Sequence, residues 1–127
     1  GGMGLYDLEF SKKYLQSYNT SDDLCRSMML SKSLESVILK WTHFIPQFKY
    51  FEHDGVFKLD YLICYDYLQA GIAEVRNKLD MDDNLEIESI NATKREKVLI
   101  SDPSIQDYLL NLYSQDMNYY TKSKNEI

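Results

Sequence analysis

The sequence has 127 residues, a length typical of one domain that buries its core without disulfides or metals. Twenty acidic residues against fourteen basic ones give a net charge of −6, which opposes nucleic-acid binding and favours a positively charged protein partner. No apolar run reaches the roughly 20 residues that a membrane span needs, so no membrane partner is expected.

The two ends and the cysteines suggest how the chain is organised. Gly1 and Gly2 precede the first methionine and look like a cloning remnant, and no signal peptide is visible after them. Cys25 and Cys64 stand alone in apolar surroundings, which does not make a disulfide framework. We therefore expect a single globular domain over residues 3–121, located in the cytoplasm.

The first third of the chain reads as two helices. Apolar residues recur at helical spacing over residues 5–18 and again over about 21–43. Thr20 is a good N-cap for the second helix, and Asp23 three residues later resembles a capping box with Asp in place of Glu. Pro46 ends the second pattern.

Residues 46–57 form a connection that contains three aromatic residues and the turn signal "HDG". A short hairpin is one interpretation of this stretch, and an irregular connection is the other.

Two patterns compete in the next stretch. Residues 57–65 alternate in a way typical of a strand, whereas the residues from Tyr61 to Leu79 repeat at spacings of four and three, which is typical of a helix. The helical pattern lasts longer, so it predicts a helix over about 58–80. Its first half is apolar on nearly every side, which indicates a central helix surrounded by others.

The remaining elements are shorter or more ambiguous. Residues 85–101 contain two short, partly alternating runs that predict a small β-hairpin, with a polar surface helix as the rival. Asp102 as N-cap and Pro103 at the first helical position open a last helix. Residues 122–127 are expected to form a frayed tail.

These elements predict a mainly α fold. We expect a small bundle of about four long helices around the central helix at 58–80, with one small hairpin at 85–101 as a further element. An α+β fold is the alternative.

The residue types that carry common chemistry are sparse. The spacings of Cys25, His43, His53 and Cys64 match no zinc motif, and Cys25 and His43 would lie about 27 Å apart along one helix. We therefore expect buried free cysteines and exposed or loop histidines. No glycine-rich loop is present to hold a nucleotide. The sequence therefore predicts neither a metal nor a cofactor, and no enzyme activity.

Asp66 is the carboxylate whose setting matters most. It falls between apolar residues on the second apolar face of the predicted central helix. If buried, it would need partners or a raised pKa, and such groups cluster at functional sites. The plainer interpretation is that it bonds a tyrosine hydroxyl or a lysine, or reaches the surface.

Two features are candidates for contacting a partner. An acidic run follows the predicted central helix and fails the calcium-loop pattern at its sixth and twelfth positions. Its members are Asp80, Asp82, Asp83, Glu86 and Glu88. Tyrosine is abundant, with 11 residues, and aromatic residues in less constrained segments are typical interface anchors. The aromatic candidates are Tyr50, Phe51, Tyr119 and Tyr120.

The sequence thus predicts a small acidic protein that works by binding another protein, and its net charge favours a basic one. Inhibitor, immunity or antitoxin-like proteins, and viral or phage factors that act on host machinery, share this size and charge. A dimeric adaptor or chaperone-like subunit, joined through the methionine-containing second helix, is the alternative. A small enzyme that uses Asp66 is the second alternative.

Overall fold

The computed structural model of the chain describes residues 4–81 and 99–125. It is mainly helical with one small antiparallel sheet, which confirms the predicted fold class. The helices are α1 (Leu5–Phe10), α2 (Ser21–Leu30), α3 (Lys32–Ile38), α4 (Phe48–Phe51), α5 (Leu68–Lys78), α6 (Pro103–Leu112) and α7 (Ser114–Asn125). A π-helical turn (Ser11–Leu15) extends α1, and a 3-10 turn (Tyr65–Tyr67) precedes α5. The sheet consists of β1 (Glu52–His53) and β2 (Val56–Phe57). None of the helices in the described ranges has the length and apolar character that crossing a bilayer requires.

The chain forms two compact units. Unit 1 comprises Gly1–Ile45 and Thr93–Leu112, and unit 2 comprises Pro46–Ala92 and Tyr113–Ile127. The single domain expected over residues 3–121 stays a prediction.

The core of unit 1 is a cluster of apolar side chains from its helices. Phe10, Met28 and Ile38 are buried at its centre, and the Trp41 ring stacks on the Phe10 ring with 4.3 Å between centroids. Partly buried residues complete the cluster: Tyr14, Leu15, Leu24, Leu34, Val37, Trp41, Phe44, Tyr108 and Leu112. The apolar stripes of the first two predicted helices therefore do face a common core.

The second predicted helix is shorter and divided. The Thr20 hydroxyl accepts a hydrogen bond from the Asp23 amide at 3.1 Å, which confirms the N-cap. The continuous helix over 21–43 is wrong, because Ser31 adopts an extended backbone conformation between α2 and α3. The Ser31 hydroxyl accepts from the Leu34 amide at 3.3 Å, so its side chain caps a new helix.

The start of the last predicted helix is confirmed. Asp102 Oδ1 accepts hydrogen bonds from the amide and the hydroxyl of Ser104, and Pro103 occupies the first helical position. Asp102 also forms an ion pair with Arg26 of α2 at 2.8 Å. The carboxylate therefore caps α6 and links it to α2 within unit 1.

Unit 2 contains the sheet, at the place where the "HDG" signal allowed a hairpin. Asp54 and Gly55 both have positive φ angles, 52° and 73°, as a two-residue type I′ turn demands. The hairpin predicted over residues 85–101 falls mostly on residues outside the described ranges, and the described residues 99–101 belong to no strand.

The helix predicted over 58–80 is wrong in its first half. Residues 58–64, called here the post-hairpin segment, are neither helix nor strand, and α5 begins only at Leu68. Most α5 side chains are exposed or half-buried, and Gly71 is its one buried residue, so α5 is not enclosed by other helices as predicted. Instead, Ile63 of this segment packs against α5 at Gly71, so the segment runs beside the helix and does not form its first turns.

The end of unit 2 is helical where a frayed tail was expected. Helix α7 extends to Asn125, and Ser123 is buried; residues 126–127 lie outside the described ranges. The Asp116 carboxylate on α7 accepts hydrogen bonds from the amides of Gln47 and Phe48, both at 2.8 Å. A side chain of α7 thus satisfies the free N–H groups that begin α4.

The Tyr108–Glu35 bond of unit 1 predicts a pH-dependent contribution to stability. The Tyr108 hydroxyl donates to Glu35 Oε2 at 2.6 Å and lowers the pKa of that carboxyl from its ordinary value of 4.5, and Lys32 at 3.2 Å adds to this effect. Because the folded pKa is lowered, this stability is present above about pH 4.5 and is lost as the pH falls through the folded pKa. Tyr108→Phe should cost about 1.5 kcal/mol near pH 7 and less near pH 3, as measured by urea unfolding.

Tyr18→Phe in the same unit is the control, because the Tyr18 hydroxyl makes no side-chain hydrogen bond to another residue of the described ranges. A Tyr108→Phe effect that is equal at both pH values would show that the variant loses packing rather than a bond to a charged carboxylate.

Candidate functional site

Unit 2 contains a groove with a volume of about 520 Å³. Four segments form it: β2, the post-hairpin segment, α5 and α7. Its lining residues are Phe57, Leu59, Asp60, Tyr61, Leu62, Ile63, Gly71, Glu74, Val75, Lys78, Tyr119, Lys122 and Ser123. We call this feature the groove. Its size is within the range of sites that hold a drug-sized ligand or a short stretch of peptide.

The groove depends on a close approach of Ile63 to the backbone of α5 at Gly71. A Cβ atom added to Gly71 would overlap Ile63 Cγ2 and would lie 3.3 Å from Ile63 Cβ and Cγ1. Only glycine therefore allows the post-hairpin segment to lie directly on the helix.

An aromatic cluster forms another part of the groove. The Tyr119 ring lies 5.5 Å from the Phe57 ring and 5.9 Å, edge to face, from the Phe51 ring. The Tyr119 hydroxyl donates to Glu52 Oε1 at 2.6 Å, and Gln115 Nε2 donates to the same oxygen at 3.0 Å. These bonds fix Tyr119 against the hairpin.

The same hydrogen bonds set the protonation of this cluster. The Tyr119 hydroxyl, followed by Gln115, lowers the pKa of Glu52, and Glu52 raises the pKa of Tyr119. At neutral pH the carboxylate is therefore charged and the phenol keeps its proton. Neither group is prepared to donate or take up a proton near pH 7.

Charged residues surround the apolar lining. Lys78 forms an ion pair with Glu74 at 2.8 Å and lies 5.0 Å above the Tyr61 ring, and Glu74 raises the pKa of Lys78. Asp60 and Lys122 make no ion pair with another residue of the described ranges. The groove therefore offers both an unpaired carboxylate and an unpaired ammonium group to a ligand.

Charge is spread over the chain. The described part of unit 2 has seven acidic and six basic residues, and the described part of unit 1 has seven acidic and five basic residues. The remaining net charge of −3 belongs to residues of the sequence outside the described ranges.

Most of the acidic residues predicted to contact a partner lie outside the described ranges. Asp80 is exposed at the end of α5 with a positive φ of 51°. The other four, Asp82, Asp83, Glu86 and Glu88, lie outside the described residues.

The aromatic candidates separate into three environments. Phe51 and Tyr119 belong to the cluster beside the groove, and Tyr119 lines it. Tyr50 is exposed, and Tyr120 bonds Asp66 instead. The structure therefore brings two of the four predicted residues together.

Asp66 lies at the surface, so the possibility of a buried carboxylate does not apply. Its side chain is half exposed, accepts a hydrogen bond from the Tyr120 hydroxyl at 2.6 Å, and lies 3.3 Å from Lys124 Nζ. The plainer interpretation of Asp66, a bond to a tyrosine or a lysine at the surface, is confirmed. Tyr120 and then Asp66 raise the pKa of Lys124, so this amine remains protonated and is no nucleophile.

The cysteines and histidines are placed as predicted. Cys25 and Cys64 are free and buried, and burial followed by the nearby Asp22 charge raises the pKa of Cys25. A protonated, buried thiol is unreactive. His43 and His53 are exposed. Within the described ranges, no three potential ligands come close enough to hold a metal ion.

The sequence pattern did not predict the exposed apolar and aromatic residues of the groove. These residues, Phe57, Leu59 and Tyr61, lie in or beside the stretch for which the longer helical pattern predicts a helix. Alternation alone would not have identified the lining, because Asp60, Leu62 and Ile63 line the groove as well.

No protein-family model matches this chain, and neither a curated protein nor a solved structure does.

A substitution at Gly71 tests whether Ile63 packs directly on α5. Gly71→Ala adds a methyl group where Ile63 packs, so the free energy of unfolding should fall by about 1 kcal/mol or more. This loss should appear although alanine favours a helix over glycine by about 1 kcal/mol. Urea unfolding followed by circular dichroism measures it.

Gly4→Ala is the matched control, because the nearest atom to the added Cβ would be Asp7 Oδ2 at an ordinary 3.8 Å. A more stable Gly71→Ala protein would contradict the close packing of Ile63 on α5.

Proposed function

We propose that this chain works by binding another protein through the groove of unit 2, and that the partner is basic. The observation that carries the proposal is the groove with its exposed apolar and aromatic side chains, and the net charge of −6 on the chain favours a basic partner. Exposed apolar side chains in a groove supply affinity, and a net charge of one sign on the chain steers a partner of the opposite sign towards it.

The apolar surface of the groove supports binding. Phe57, Leu59 and Tyr61 are 37%, 41% and 42% exposed, although each is large and apolar or aromatic. Grouped exposed side chains of this kind are typical of interaction sites. Aromatic anchors held in place before binding lose little side-chain entropy when a partner arrives.

Two pairs of titratable groups at the groove are not suited to proton transfer. Its lysine on α5 is paired and protonated, and the nearby Glu52–Tyr119 pair keeps its protonation state near neutral pH. Asp66, the residue of the enzyme alternative, does not line the groove. These points favour binding over chemistry.

Several biological roles would use such binding. An inhibitor, an immunity or antitoxin-like protein, and a viral or phage factor acting on a host protein all fit a chain of this size and charge. The cytoplasm is the compartment we propose, since both cysteines are free thiols.

A surface leucine tests the groove. Leu59→Lys keeps an exposed position but replaces an apolar lining side chain with a cation, which would repel a basic partner. Immobilised wild-type and variant chains are exposed to a lysate of the source organism, and the retained protein is then purified and its Kd measured. The variant should bind at least about tenfold more weakly, a change of about 1.4 kcal/mol.

Leu110→Lys is the matched control, because Leu110 is an exposed leucine on α6 of unit 1 and the change in charge is the same. Equal weakening by both substitutions would indicate a general charge effect. A retained partner that binds the Leu59→Lys chain as tightly as the wild type would rule out the groove.

A homodimer is the second candidate, and exposed side chains at the end of α2 favour it. Leu30 is 90% exposed and follows Met29, which is also exposed. If α2 joins two copies, light scattering after gel filtration should give about twice the 15.0 kDa mass of the chain, and Leu30→Ser should restore the single mass. A wild-type protein that elutes only as a 15.0 kDa species removes this candidate.

A further inference from the structure

The turn of the hairpin contains the one aspartyl–glycyl bond of the sequence, between Asp54 and Gly55. No other aspartate, and no asparagine, precedes a glycine. The backbone nitrogen that follows an aspartate can attack the side-chain carboxyl group of that aspartate. Glycine exposes this nitrogen most, because it has no Cβ to shield it. The sequence therefore singles out one bond at which the main chain can rearrange.

The structure leaves both reacting groups of this bond accessible. The Asp54 side chain is 90% exposed, and a Cβ added to Gly55 would meet no atom within 4 Å. The His53 imidazole lies 3.5 Å from Asp54 Oδ2 and is itself exposed, so it does not cover the carboxyl group. In the described part of the chain, the Gly55 amide donates to no carbonyl group, since the hairpin pairs His53 with Val56 on either side of the turn.

The turn also holds Asp54 in a conformation that opposes its release from the sheet only weakly. Its φ of 52° lies in the left-handed region, which a type I′ turn requires and which is strained for an L-residue. Each strand of the sheet has two residues, and Val56 is 54% exposed. A hairpin this short opens at low free energy, and opening frees the carboxyl group to rotate onto the Gly55 nitrogen.

We propose that Asp54 converts to isoaspartate without an enzyme, through a cyclic imide that it forms with Gly55. The Gly55 nitrogen bonds to Asp54 Cγ, and the hydroxyl of the protonated carboxyl leaves as water with the amide hydrogen. Water then adds to the main-chain carbonyl carbon of Asp54, and the bond from this carbon to nitrogen breaks. The chain now continues through Cγ, and the former main-chain carbonyl is a free carboxylate. One water is released and one is consumed, and no electron is transferred.

Isoaspartate changes the hairpin that supports the groove. The main chain then passes through Cβ and Cγ, which adds one carbon atom to the turn and removes the geometry of a type I′ turn. The pairing of β1 with β2 is lost with it, as is the 2.8 Å bond from the Lys58 amide to the Phe51 carbonyl. Phe57 of β2 lines the groove and packs on Tyr119. The rearrangement therefore removes binding at the groove; this consequence, unlike the isomerisation itself, rests on the proposed function.

The test follows the full chain as it ages in warm, mildly acidic buffer. Samples are treated with an isoaspartyl methyltransferase and a labelled methyl donor, and proteolysis with mass spectrometry locates the label. The peptide that contains Asp54 should become labelled before any other aspartyl peptide, and a form lighter by one water should appear at the same peptide. Asp54→Glu is the control, because glutamate would have to close a six-membered ring, and this position should then stay unlabelled.

A sample unfolded in urea separates the effect of the sequence from that of the structure, and it does not depend on the folding of a variant. Label at Asp54 in urea but not in the folded chain would show that the turn protects the bond, which overturns the proposal. A first label at another aspartate, or equal labelling of the Asp54→Glu chain at this position, overturns it as well.

The effect on the hairpin and the effect on binding are then measured on the labelled chain. Amide exchange at Lys58, followed by NMR, should rise by roughly tenfold or more, because its bond to Phe51 is lost. Unchanged exchange at Lys58 would overturn the proposed effect on the hairpin. The partner captured by fresh chain should no longer bind. A labelled chain with fast exchange at Lys58 that still binds this partner would count against the groove as the binding site and not against the isomerisation.

Discussion

The contact between Ile63 and the backbone of α5 at Gly71 determines the architecture of unit 2. It holds the post-hairpin segment on the outside of a helix, so the chain runs beside α5 instead of forming its first two turns. In this arrangement the side chains of Leu59 and Tyr61 remain 41% and 42% exposed. The groove is a direct result, because a helix over the same residues would have turned those side chains in several directions.

The sequence predicted local structure correctly where a single side chain determines the backbone conformation next to it. Thr20 and Asp102 cap helices as their types and positions predict, and the "HDG" signal marks a two-residue turn. Each of these effects operates over three or four residues and needs no distant partner. The mainly helical fold class follows from many such signals taken together.

The sequence reading failed where a distant contact selects between two local patterns. Residues 57–65 carry both an alternating and a helical pattern, and the packing of Ile63 on Gly71, eight positions later in the chain, decides between them. Ser31 shows a related failure, since the apolar stripe continues across it although its hydroxyl begins a new helix. Asp66 does not lie on a face of α5, because it belongs to the 3-10 turn that precedes this helix.

Helix α7 contacts the rest of unit 2 through polar bonds and through the packing of Tyr119 on Phe51 and Phe57. Asp116 binds the start of α4, Tyr119 binds Glu52, and Ser123 is its one buried residue among those described. Elements with little apolar burial detach at low free energy, well before the remainder of a fold opens. Detachment of α7 would move Tyr119 away from the hairpin and remove one wall of the groove. The affinity for any ligand of the groove therefore includes the free energy that keeps this helix docked.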